Sequence, residues 1–116
     1  MREILFRGKR ADNGKWITDS ETYIKDGDGT WLSDEELNVV KVIPESVGQY
    51  TGLTDIDGVK IYEGDIVDIL TENEEVGAVT YDDGGFVITA DGFTVSFLDN
   101  INGTDVRVIG NIYDNI

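Results

Sequence analysis

The sequence predicts a mainly β protein, with N-terminal β-hairpins packed with a small C-terminal β-barrel. Three observations predict it. Runs rich in Val, Ile, Thr, Tyr, Phe and Trp are separated by turn signals every ~8–12 residues, the spacing of sandwiches and barrels. Fourteen Gly against a single Pro supply turns rather than polyproline. Helical periodicity is nearly absent, leaving at most one helical turn, at residues 34–37. A chain of 116 residues buries about two-thirds of its unfolded surface, enough for a modest core without staples.

Glu3-Ile4-Leu5-Phe6-Arg7 and Lys15-Trp16-Ile17-Thr18 read as strands joined at Asp12-Asn13-Gly14, because Asn-Gly supplies the positive-φ positions of a tight hairpin. Thr22-Tyr23-Ile24 and Thr30-Trp31-Leu32 form a second hairpin around Asp26-Gly27-Asp28-Gly29. Ser33-Asp34-Glu35-Glu36 matches a capping box, but β-branched Val39-Val40-Lys41-Val42-Ile43 follows and ends at Pro44. A boundary after Ser46 therefore separates an N-terminal hairpin region, 1–46, from a C-terminal barrel region, 47–116. In the latter, Gln49-Tyr50-Thr51-Gly52 precedes a turn at Asp55-Ile56-Asp57-Gly58. Strands are expected at Asp65–Leu70, Val76–Tyr81, Phe86–Thr89, Phe93–Phe97 and Val106–Tyr113. The connections are an acidic loop (Thr71–Glu75), Asp82-Asp83-Gly84-Gly85, Asp91-Gly92 and Asn102-Gly103. Five such strands suit a small barrel, whose closure removes exposed edges.

Composition narrows the chemistry. There is no Cys and no His, which removes Ser-His-Asp and Cys-His triads, disulfides and most zinc hydrolases. Nine basic against 24 acidic residues give a net charge of −15. The charge is uneven: residues 1–60 carry 8 basic and 12 acidic side chains, whereas residues 61–116 carry Arg107 against 12 acids. Such a surface repels phosphate, so neither direct nucleic-acid nor membrane binding is expected. No apolar run is long enough to span a bilayer and no secretory signal is evident, so the expected location is cytoplasmic, in a bacterial host cell. Asp26-Gly27-Asp28-Gly29-Thr30 begins like a calcium loop. It places Trp31 where glycine is required and Leu37 where a bidentate Glu is required, so no metal and no cofactor are expected.

Gly48-Gln49-Tyr50-Thr51-Gly52-Leu53, Asp57-Gly58 and Ile61-Tyr62-Glu63-Gly64-Asp65-Ile66-Val67 resemble the YopX family of phage and prophage proteins. So do the opening Arg2-Glu3-Ile4-Leu5-Phe6-Arg7, Asn13-Gly14-Lys15-Trp16, and the closing Val108-Ile109-Gly110-Asn111-Ile112-Tyr113-Asp114-Asn115. One departure is Ile116, where the family's tail usually runs on past Asn-Pro. The resemblance implies a mainly β fold with a Src-homology-3-like barrel in the C-terminal part. It implies no catalytic residue, because the family has no established activity to carry over.

Candidate binding residues are Gln49, Tyr50, Thr51, Tyr62, Glu63 and Asp65. Gln49-Tyr50-Thr51-Gly52 is either an assembly surface or a buried turn with its polar groups satisfied internally. In Tyr62-Glu63-Gly64-Asp65, Gly64 supplies a turn that a side chain could obstruct and Asp65 accepts backbone N–H groups to fix it; alternatively, Tyr62, Glu63 and Asp65 contact a ligand at the barrel rim. Trp16, Trp31, Tyr23 and Tyr50 are core residues or the walls of a peptide groove. The expected function is a non-enzymatic protein-interaction or self-assembly module, a homo-oligomer with a further, unidentified protein partner. The alternatives are an acidic nucleic-acid mimic that blocks a nucleic-acid-binding protein, and a carboxylate-based enzyme, which would need a buried, proton-retaining acid.

Overall fold

The computed structural model describes residues 4–70, 75–82, 84–90, 93–96 and 105–114. Expectations that fall on Arg2, Glu3, residues 71–74, Asp83, Asp91-Gly92, Phe97, Asn102-Gly103 and Asn115 lie outside the described residues. The chain is mainly β and divides into two compact units, 1–50 and 51–116. The division falls inside a strand, slightly beyond the boundary expected after Ser46. Among the described residues no helix is long and apolar enough to cross a membrane.

In the first unit, β1 (Phe6–Lys9) pairs antiparallel with β2 (Trp16–Ser20), and β3 (Tyr23–Asp26), β4 (Gly29–Ser33) and β5 (Val39–Lys41) form a three-stranded meander. Both expected hairpins are present. The second is closed by Asp26 opposite Gly29. Ile17, Leu32 and Val42 form the core, with Phe6, Val40 and Val47 packed against it. Pro44–Ser46 is a short 3-10 turn in which the Ser46 hydroxyl donates to Ile43 O (2.6 Å) and accepts the Lys9 N–H (2.8 Å).

Residues 34–37 form a single turn, in keeping with the at most one helical turn expected there: Leu37 N–H donates to Asp34 O at 3.0 Å, and Leu37 itself takes φ +66°. Two local expectations are corrected. The capping box fails because Ser33 is buried. Its N–H donates to Ser20 Oγ and the two hydroxyls lie 3.1 Å apart, so Asp34 receives the Glu36 N–H instead. Gln49-Tyr50-Thr51-Gly52 is extended rather than a turn and lies within β6 (Gly48–Thr54). Flanking glycines obscure that strand, and pairing compensates: Phe6 sits opposite Gln49 and Arg7 opposite Gly48.

In the second unit, the chain passes from β6 through a loop to β7 (Lys60–Tyr62), a strand the sequence did not announce. A five-stranded antiparallel sheet follows, built from β8 (Asp65–Ile69), β9 (Glu75–Asp82), β10 (Gly85–Ala90), β11 (Phe93–Ser96) and β12 (Val106–Asn111). Its order is β11-β10-β9-β8-β12: β8 to β11 form a four-strand meander, and β12 returns to the free side of β8. The sheet is curled, half of a barrel. Val67, Ile69, Val79, Phe86, Ile88 and Val106 face one core with Ile61. The expected alternation holds in β10, where Phe86 and Ile88 are both buried.

Candidate functional site

The turn between β7 and β8 follows from its residues. Gly64 adopts φ +93°, a region that favours glycine. A Cβ at this position would lie 2.5 Å from Cε2 of Tyr113. Asp65 is 1% exposed, and its Oδ2 accepts the Tyr62 N–H at 2.8 Å. Three segments of the second unit meet here: Gly64 N–H donates to Val79 O (2.7 Å), and Ile112 N–H donates to Gly64 O (2.9 Å). Asn111 fixes the closing turn by accepting the Tyr113 N–H (2.9 Å) and donating to Asp114 (3.1 Å).

A second buried carboxylate, Asp55, was not singled out from the sequence beyond its place in a turn. Asp55 is 3% exposed. Its Oδ1 accepts N–H groups from Asp57 (2.8 Å) and Val59 (2.9 Å), and its Oδ2 accepts that of Val108 (2.9 Å). Ile56 N–H also donates to Val106 O at 3.1 Å. The 55–59 loop thus caps the outer edge of β12, a place where an exposed strand would invite pairing. Arg107 reinforces it through Nε to Asp57 Oδ2 at 2.9 Å. Burial alone would raise the Asp55 pKa. The three N–H donors and the nearby Arg107 outweigh that cost and hold it below the ordinary carboxylate value.

A pH dependence follows with a defined sign. A carboxylate whose pKa is lower folded than unfolded stabilises the fold above its unfolded pKa, near 3.9, and the contribution is lost as pH falls through the lower, folded value. Urea midpoints of the wild type should therefore drop more steeply below about pH 4 than those of Asp55→Asn, which has no carboxylate to protonate. Parallel curves would show that Asp55 does not carry the acid sensitivity.

The six expected binding residues divide between the two units. In the first, Gln49 is half-buried, while Tyr50 is buried and its N–H donates to Leu5 O at 2.8 Å. In the second, Thr51, Tyr62 and Asp65 are buried and Glu63 is half-buried. Thr51 Oγ1 donates to Ile61 O at 2.9 Å, so it braces β6 against β7. Thr51, Tyr62, Glu63 and Asp65 thus gather around β7 and its turn, with three of the four side chains turned inward. Among the expected aromatic groove residues, Trp16 stacks under Arg7 and Lys9 (5.0 and 5.7 Å to the ring centroid), and Tyr23 packs on Phe6 at 4.9 Å. Among the described residues, no group of three or more acids is placed to hold a metal ion.

Outward from these turns the second unit presents aliphatic side chains. Ile56 and Val59 lie in the capping loop, Ile109 lies at the register shift of β12, and Ile112 lies in the closing turn; each is about half exposed. Neighbouring Asp55 and Asp65 are committed to backbone N–H groups. These features define a class: a small β protein whose distinctive sequence strings build interlocked turns beneath a partly apolar exterior.

The YopX protein family model matches residues 5–116, and the chain belongs to that family. Its fold is similar to the crystal structure of protein EF1440 from Enterococcus faecalis, with a TM-score of 0.61 and 16% sequence identity over 99% of this chain and 96% of that one. A comparison with curated proteins finds no match.

Proposed function

We propose that the chain is a non-enzymatic protein-interaction module that self-associates and is encoded by a phage or prophage, acting in the bacterial cytoplasm. The observation that carries this reading is the exterior of the second unit, where Ile56, Val59, Ile109 and Ile112 stand exposed around β12. Isolated exposed aliphatics are ordinary on a monomer, but one on β12, one in the turn after it and two in the loop along its outer edge favour a covered surface. The use of Asp55 as the acceptor of three amide N–H groups, which holds its carboxyl below the ordinary value, argues in the same direction, because a general acid would need a carboxyl that keeps its proton. The order β11-β10-β9-β8-β12 is also the strand order of a small Src-homology-3-like barrel, the architecture we assign to the second unit.

Native mass measured by light scattering over a concentration series tests this reading. The wild type should exceed the monomer mass of 12.8 kDa. Ile109→Lys with Ile112→Lys should shift it toward the monomer while the circular dichroism spectrum stays that of the wild type. A wild type that is monomeric at every concentration sinks self-association.

A further inference from the structure

Two clefts in the first unit, of about 330 and 290 Å³, share Thr18, Asp34 and Glu35 and so form one groove. One wall is β2, with Trp16, Ile17 and Thr18; the other is the 34–37 turn, with Asp34, Glu35 and Glu36. Beyond the shared residues, Asp19, Glu21 and Leu37 continue the lining, and Leu37 is 82% exposed.

The backbone and the charge of this groove point to the same occupant. Among the described pairings β2 pairs only with β1, with Gly8 opposite Ile17 and Lys9 opposite Trp16. Arg10 N–H donates to Lys15 O. Alternation along an antiparallel pair then directs the Lys15 carbonyl and the Ile17 peptide groups toward β1 and those of Trp16 to the outer edge, and the register shift that follows, with Asp19 at φ +58°, limits this regular edge to residues 15–17. An outward strand edge beside a walled slot suits the addition of an extended segment. Five carboxylates line the groove: Asp19, Glu21, Asp34, Glu35 and Glu36. Two lining cations, Arg10 and Lys15, lie at the Trp16 end, where Arg7 and Lys9 also sit over the Trp16 ring. Arg10 is held by Asp12 through paired contacts of 3.0 and 2.9 Å, which raises its own pKa and lowers that of Asp12. The excess negative charge therefore belongs to the 34–37 turn and the far end, where a cationic side chain would be attracted.

We propose that the groove between β2 and the 34–37 turn is a docking slot for an extended, lysine- or arginine-bearing segment of a partner protein. The inference deepens the interaction-module reading but does not depend on self-association, and its primary readout is peptide binding rather than the native mass of the wild type.

Trp16 lines the groove and reports on it once Trp31→Phe removes the other tryptophan. The probe is a ten-residue peptide alternating lysine with threonine. It should change Trp16 emission saturably at physiological salt. Glu35→Lys with Glu36→Lys, on an exposed turn, should weaken binding at least tenfold, whereas Glu45→Lys, exposed elsewhere in the same unit, should leave it within twofold. Replacing alternate threonines by proline keeps the charge but prevents strand pairing, and should also weaken binding at least tenfold. Equal binding of the proline peptide, or equal losses in the Glu45 and Glu35/Glu36 variants, would reduce the effect to general attraction to an acidic protein and overturn the proposal. So would absence of binding together with a native mass altered by the Glu35/Glu36 changes, which would assign the groove to a second copy of the chain.

Discussion

Asp55→Ala should destabilise the second unit by about 4 kcal/mol, because three backbone N–H groups lose one buried, charged acceptor and each orphaned donor costs ~1–3 kcal/mol. Donors at Asp57 and Val59 can partly recover by reaching water, since their loop is exposed. The Val108 N–H lies on β12, under the loop that Asp55 holds in place. Losing that hold should also release the Ile56 N–H from Val106 O and open the outer edge of β12. Asp55→Asn separates the contributions. One amide oxygen can still serve Asp57 and Val59, but its NH₂ then faces the Val108 N–H, donor against donor. We expect about half the alanine penalty, ~2 kcal/mol. Urea denaturation at neutral pH, followed by far-ultraviolet circular dichroism, measures both. Hydrogen exchange at Val106 and Val108 should accelerate in Asp55→Ala ahead of exchange in β9 and β10. An alanine variant within 1 kcal/mol of wild type would show that water replaces the carboxylate.

How far these features could be read in advance depends on the distance along the chain over which each is determined. The Gly64-Asp65 turn was legible because its logic is local: Asp65 bonds to Tyr62, three residues away. The hairpins were legible for the same reason, with Asp26 facing Gly29 across two turn residues. Asp55 announced only its local half. Its bonds to Asp57 and Val59 are those of an ordinary Asx turn, whereas its bond to Val108 spans 53 positions and carries no local signal. Ser33 misled in the opposite sense. A capping serine is a local motif, yet the Ser20 hydroxyl, 13 residues away, claims it in the first unit's interior. Strand β6 was hidden because Gly48 and Gly52 dilute its pattern, and its pairing with β1 involves residues far away in sequence. The same reasoning applies to function. Gln49, Tyr50, Thr51, Tyr62, Glu63 and Asp65 stand out as strings, but stringency of local sequence is what a demanding turn needs as much as what a ligand needs. The groove beside β2 has no string at all, since it is made by bringing residues 16–18 opposite residues 34–36.

Gly64→Ala should cost about 3 kcal/mol: ~1–2 for holding an L-residue at positive φ, and the remainder for the encounter of its Cβ with Tyr113. A second glycine separates these parts. Gly58 has φ +83°, close to the +93° of Gly64, but a Cβ there meets nothing within 4 Å. Gly58→Ala therefore reports the conformational cost alone, ~1–2 kcal/mol. The difference between the two variants measures the contact with Tyr113. That contact can be relieved in two ways. If the half-buried ring swings outward, the backbone of the 62–65 turn stays in place, and Gly64→Ala in a Tyr113→Ala background should cost no more than Gly58→Ala. If the ring is held, the turn must move, taking with it the Ile112 N–H bond to Gly64 O and the Tyr62 N–H bond to Asp65. The single variant should then lose exchange protection at Ile112 and Tyr62 together. Either route disturbs the closing turn that carries Ile112 before it reaches the buried sheet. Native mass should therefore respond to Gly64→Ala under conditions where the protein remains folded. Identical stability of the two alanine variants would show that Tyr113 does not constrain Gly64, and would leave backbone conformation as the sole requirement for glycine at that position.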